Sequence, residues 1–136
     1  MVRTLVSFAV VSTVCVAALL TVISAIEDHH AFDPIPSPDG SLVLHPALNE
    51  DRRVSYSVTD RAGTKIAQVD SHASDNWRWA LGWNTNDTIV LTSSDIGTSA
   101  WKIGAHGDIT ELPYLLPKEL SLRGEELMQR KYPDRR

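Results

Sequence analysis

The hydrophobic positions change their spacing three times along the chain. From Thr4 to Ile26 the residues TLVSFAVVSTVCVAALLTVISAI run without a charge or a proline. As a helix, a stretch of that length measures about 35 Å at about 1.5 Å per residue, enough to cross a bilayer core. Residues 27–37 show no apolar periodicity and hold Pro34 and Pro36, so they read as a linker. From the SPDG turn to residue 113 the period becomes two. SLVLHPAL is a short strand that Pro46 must end or confine to an edge. RVSYSVTD sets Val54, Tyr56 and Val58 against Ser55, Ser57 and Thr59. After the turn RAG, TKIAQVD returns as the partner of a hairpin.

The second half follows the same scheme. NWRWALGW places Trp77, Trp79, Leu81 and Trp83 at strict alternation. NTND is a turn, TIVLTSSD a β-branched strand, and SAWKIG and DITELP are two more strands joined by AHGD. Residues 114–136 return to helical spacing, with Leu116, Leu120, Leu127 and Lys131 on one side and Pro133 as the stop. Gly124 weakens that helix by about 1 kcal/mol relative to alanine. The expected fold is mainly β: an antiparallel meander of about six to seven strands from two blade-like repeats. An N-terminal transmembrane or signal helix precedes it and a C-terminal helix follows. The expected segments are 1–26 (anchor or signal), 27–37 (linker), 38–113 (β domain) and 114–136 (helix and tail).

The repeat shows in turn chemistry as much as in strands. PDGSLVL at Pro38–Leu44 matches NDTIVL at Asn86–Leu91, and the glycine turn at Gly63 matches that at Gly107. Two such units cannot close a ring, so a meander or two-layer sheet is expected.

Charge and cysteine content bear on location and partners. Arg3 precedes the apolar run and Glu27 and Asp28 follow it, which keeps the N-terminus inside and exports the rest. The run exceeds the apolar core of a cleaved signal, of about 7–15 residues, and its cleavage sites are poor. An uncleaved anchor in the cytoplasmic membrane through residues 4–26 is therefore the first reading, and a signal peptide the second. Cys15, the only cysteine, sits inside the run, so the exported part has no disulfide. That suits a bacterial periplasmic protein that relies on its core. The formal net charge is −4, and loss of Arg3 with residues 1–26 leaves −5. An acidic domain is not built for nucleic acid, and an electrostatic protein partner should be basic.

Few residues suggest chemistry. In LTSSDIGTSAW, Asp95 is placed to accept hydrogen bonds from the amides of Gly97 and Thr98, while Gly97 supplies a positive φ. Asp39 and Gly40 do the same in SPDG. These four read as structural turn residues. Ser93 and Ser94 lack the surroundings of a nucleophile elbow, and nothing in the sequence brings His72 or His106 to them. His29 and His30 are neighbours with no spaced third ligand, and NTND lacks the glycine and distal glutamate of a calcium loop. No catalytic residue, metal or cofactor is expected. Trp77, Trp79, Trp83 and Trp101 form either a core face or, with Asp95, an aromatic surface for a partner.

The stretches SPDGSLVLHPALNE and ASDNWRWALGWNTNDTIVLTSSDIGTSAWKI, within Ser37 to Ile103, resemble a family of small exported bacterial proteins of uncharacterised function. The tryptophan strand followed by SSDIG and Trp101 is the most specific part. The SPDG turn before a strand resembles single blades of Tol- and WD-type β-propellers. The resemblance implies one β-rich extracytoplasmic domain behind an apolar segment, and brings no catalytic residues. The expected role is a non-enzymatic extracytoplasmic binding protein. Its sharpest form is a periplasmic immunity or inhibitor protein. A membrane-anchored accessory subunit of an envelope complex is the alternative, and a hydrolase using Asp95 and a serine is a third reading.

Overall fold

The computed structural model describes residues 31–134; the apolar run 4–26, Cys15, His29 and His30 lie outside them. The described residues are mainly β, with eight strands in two four-stranded antiparallel sheets and one helix. Sheet 1 is the meander β1 (Ile35–Pro36), β2 (Leu42–Leu48), β3 (Arg53–Asp60) and β4 (Lys65–Ser74). Sheet 2 is the meander β5 (Trp79–Trp83), β6 (Thr88–Ser93), β7 (Gly97–Ile103) and β8 (Ile109–Glu111). Helix α1 (Lys118–Lys131) follows.

Alternation decides which faces meet. In sheet 1, Leu44, Val58 and Ala67 lie opposite one another across three strands, as do Pro46, Tyr56 and Val69. This face is buried, whereas the other carries His45, Ser57, Thr59 and Gln68, and His45 Nε2 bonds Thr59 Oγ1 at 2.8 Å. In sheet 2, Trp83, Ile89 and Trp101 are in register, and Leu81 faces Leu91. Trp101 meets Tyr56 edge to face, with ring centroids 5.6 Å apart, and Trp83 Nε1 donates to the Ile35 carbonyl at 2.9 Å. The tryptophan face of sheet 2 therefore packs on the apolar face of sheet 1. This burial supplies most of the hydrophobic driving force, at about 25 cal/mol per Å² of apolar area.

The opposite face of sheet 2 carries Val90 and Ala100, which pack with Leu120 of α1; Leu112, Leu116 and Leu127 complete that cluster. β5 and β6 are consequently buried on both faces. The helix also covers the open edge of β5. Arg123 Nε donates to the Trp83 carbonyl at 2.9 Å, and Tyr132 Oη bonds the backbone of Trp79. A bare strand edge would invite pairing with another chain.

Two elements, β1 and the C-terminal helix, differ from the periodic reading, while Pro46 takes the unpaired edge expected of it. β1 falls inside the span expected to be a linker, and in place of one meander of six to seven strands the eight strands form two meanders of four. β2 runs through Pro46, because β1 pairs only with Val43 and Leu44 and leaves Pro46 facing no strand on that side. Helix α1 begins at Lys118 rather than at residue 114, since Pro113 and Pro117 hold the preceding segment out of the helix.

Candidate functional site

The meanders place alternate turns at opposite ends of the sheets. One end gathers the β1–β2, β3–β4, β5–β6 and β7–β8 turns, and each brings an aspartate: Asp39, Asp60, Asp87 and Asp108. The two halves of the repeat touch here, where the Asp39 amide donates to Asn86 Oδ1 at 2.9 Å. Asp39 Oδ1 accepts from the Ser41 amide (2.9 Å), Ser41 Oγ (2.7 Å) and Ser37 Oγ (3.0 Å). Gly40 next to it has φ +71°, the left-handed conformation that closes this turn. Asp60 Oδ1 accepts from the amides of Ala62 and Thr64 at 2.9 and 3.0 Å. Asp87 Oδ1 accepts from Thr85 and Thr88 hydroxyls at 2.8 and 3.0 Å. The Asp108 carboxylate lies against Gly104, in space that a Cβ there would need.

The bonds at Asp39 and Asp87 also favour the charged form of those two carboxylates. The Ser41 hydroxyl, then the Ser41 amide and the Ser37 hydroxyl, hold Asp39 below the usual carboxylate range, with Arg61 adding to the effect. The Thr85 and Thr88 hydroxyls do the same for Asp87. Of the cations nearby, Arg61 donates to the carbonyls of Gly40 and Asp39, Lys65 donates to Gln68 Oε1, and the charge of Lys102 acts on Asp87. The result is a group of turn carboxylates at one end, three of them held by hydrogen bonds within their own turns. Among the described residues no group of three metal-ligating side chains forms.

The opposite end carries the β2–β3, β4–β5 and β6–β7 loops, and here Asp95 appears with partners other than its own turn. Its Oδ2 accepts the Ser74 amide at 3.1 Å, and Ser93 Oγ donates to Oδ1. Asp95 thus fastens the end of β4 in sheet 1 to sheet 2, and the expected bonds from Gly97 and Thr98 are not the ones it makes. Burial raises its pKa. The bonds from Ser93 and Ser74, its own amide and the charge of Arg53 outweigh that and leave it lowered. Gly97, at φ +82°, closes the hairpin as expected. Arg52 pairs with Asp75, and the Asp75 amide donates to the Arg52 carbonyl at 3.0 Å. The Ser94 amide donates to the Arg78 carbonyl at 2.9 Å, joining the last two loops.

The tryptophans separate into two groups. Trp79, Trp83 and Trp101 are 4%, 4% and 5% exposed, so they are core and do not form an aromatic surface with Asp95. Trp77 precedes β5, in a turn closed by its amide bonding the Ser74 carbonyl at 3.2 Å, and it is 58% exposed. The alternation had put it on the strand.

A further cluster went unnoticed in the sequence. Lys131 Nζ lies 3.4 Å from the centre of the Trp79 ring, and the Arg78 guanidinium lies 5.9 Å from that of Tyr132. Burial pushes the Lys131 pKa down to about 8 against the opposing pull of Asp75. The 53-residue separation between Trp79 and Tyr132 left no local signal for this contact.

No family model, curated protein or solved structure matches this chain. Among the described residues no helix is long and apolar enough to cross a membrane.

Proposed function

We propose that the protein is a non-enzymatic binding protein of the bacterial cell envelope, held at the cytoplasmic membrane by residues 4–26. Its exported domain engages a basic protein partner, in the manner of an immunity or inhibitor protein. The observation that carries the reading is the row of turn aspartates. Asp39, Asp60 and Asp87 each commit Oδ1 to their own turn, which fixes the carboxylate before any partner arrives. Anions ordered in advance lose little conformational freedom on binding and speed the encounter with a positive surface.

The test is recovery of partners from detergent-solubilised envelopes with the full chain, at low and high salt. Asp60→Asn and Asp108→Asn together remove two charges while keeping side-chain oxygens. The expected result is a discrete basic protein whose recovery falls at least about tenfold in the double variant and with added salt. Recovery that is indifferent to both changes overturns the assignment of this end.

A further inference from the structure

We infer that the end opposite the aspartate turns is a membrane-apposed surface, where Trp77, Ile96, Tyr114 and Leu115 sit at the lipid headgroups. The inference rests on the reading that residues 4–26 anchor the chain. Three observations lead to it.

The first is the distribution of exposed large apolar side chains. Five are found among the described residues: Trp77, Ile96, Tyr114, Leu115 and Leu122. Trp77 lies in the β4–β5 loop and Ile96 in the β6–β7 loop, both at the end away from the aspartate turns. β8 runs toward that same end, since Glu111 pairs with Trp101 and the Leu112 amide with the Ala100 carbonyl. Tyr114 and Leu115 follow it and line, or lie next to, a shallow cleft with Thr98 and Ser99. Four of the five therefore share one end. Tyr114 and Leu115 are 90% and 89% exposed, a poor arrangement for side chains meant to face water alone.

The second is the path of the chain. Ile35 pairs with Leu44 and Pro36 with Val43, so β1 points toward the aspartate turns. Ile35, its first residue, is thus the one farther from those turns. The eight residue steps from Ile26 to Pro34 reach at most about 28 Å when fully extended, so an anchor ending at Ile26 keeps the domain close to the bilayer.

The third is charge. The loops and adjoining strand ends on this side carry Glu50, Asp51, Asp75 and Asp95 among Arg52, Arg53 and Arg78, and the end of the helix adds Lys131 and Asp134. Cations are thus interspersed with the acids here, where they can meet anionic lipid headgroups. Tryptophan and tyrosine are the side chains that favour the headgroup level, with an apolar body and a polar tip.

The occupant is the bilayer surface, and the experiment is fluorescence quenching. The full chain carrying Cys15→Ser receives one cysteine, by Tyr114→Cys, Ile96→Cys or His106→Cys. Each is labelled with an environment-sensitive dye and reconstituted into phosphatidylcholine–phosphatidylglycerol vesicles with a headgroup spin label. His106, in the β7–β8 turn, reports the opposite end. The expected result is quenching at 114 and 96 several times that at 106. Chains that float with the vesicles but show equal quenching at all three positions overturn the inference and leave the anchor standing. A label at 114 that is shielded from lipid and water alike would mark a protein partner there and also overturn it. Chains that fail to float remove the anchor itself, and the inference with it.

Discussion

Gly124 is a sensitive test of how the helix meets sheet 2. At a solvent-exposed position in mid-helix, glycine to alanine raises stability by about 1 kcal/mol. A Cβ on residue 124 would lie 3.0 Å from Thr98 Oγ1, 3.1 Å from Thr98 Cγ2 and 3.2 Å from Thr92 Cβ. Thr92 and Thr98 are register partners, and their hydroxyls bond at 2.9 Å. Both are β-branched, so turning aside means leaving a preferred rotamer and breaking that bond. The helix must rise by a few tenths of an ångström instead, which loosens Leu120 and Leu127 over Val90 and Ala100. Overpacking of this kind costs about 1–3 kcal/mol. Gly124→Ala should therefore lower stability by about 1 kcal/mol net of the helix gain, or about 4–8 °C in Tm for a domain of this size. Thr98→Ala removes two of the three contacts, so the double variant should recover most of the loss. The two changes should couple by about 1–2 kcal/mol in a double-mutant cycle. The assay is urea unfolding of the full chain in detergent, followed by the fluorescence of the buried tryptophans. A Gly124→Ala variant that gains the full helix-propensity increment, or a cycle that is additive, refutes the close approach.

Two further outcomes follow from the core and from the tie between the sheets. Tyr56 is 1% exposed and its hydroxyl has no hydrogen-bond partner among the described residues; burial, and then the charge of Glu111, push its pKa up. Tyr56→Phe should raise stability by about 1 kcal/mol in urea unfolding, since it removes an unpaired buried polar group; a comparable loss would mean the hydroxyl is satisfied. Asp95 is exposed, so its replacement by asparagine should cost about 0.5–1 kcal/mol at pH 7, less than a buried acceptor would. Its pKa is lowered in the fold, so its contribution is complete above the ordinary aspartate value of about 3.9 and fades as pH falls through the folded value. Acid unfolding of Asp95→Asn should run closer to wild type below pH 4 than at pH 7, and a gap that widens on acidification counts against the tie.

Much of this fold is legible in alternation and turn chemistry. β6 is rich in β-branched residues, β3 alternates apolar with polar, and the glycine turns fall where positive φ is found. What escaped depends on contacts distant in sequence or on elements too short to show a period. β1 has two residues, one of them proline, and exists because Val43 and Leu44 of the next strand pair with it. Trp77 fits the alternation of β5, yet the turn bond to Ser74 lifts it off the strand. Asp95 reads as a local turn acceptor, but its backbone partner lies 21 residues earlier, in the other sheet. Gly124 looks like a weakness in the helix until the threonines beneath it are seen. The aspartate row is legible only in part. SPDG and NTND are visible as corresponding turns, while their meeting through Asn86 belongs to the stacking of the sheets.

The two proposals place the two ends of the sheets in different surroundings, and site-specific photo-crosslinking in intact cells compares them directly. A photoreactive residue at position 106, among the aspartate turns, should give a discrete adduct with a basic protein. One at position 115, at the opposite end, should give lipid adducts and no protein band. Protein adducts from 115 with none from 106 would contradict the account.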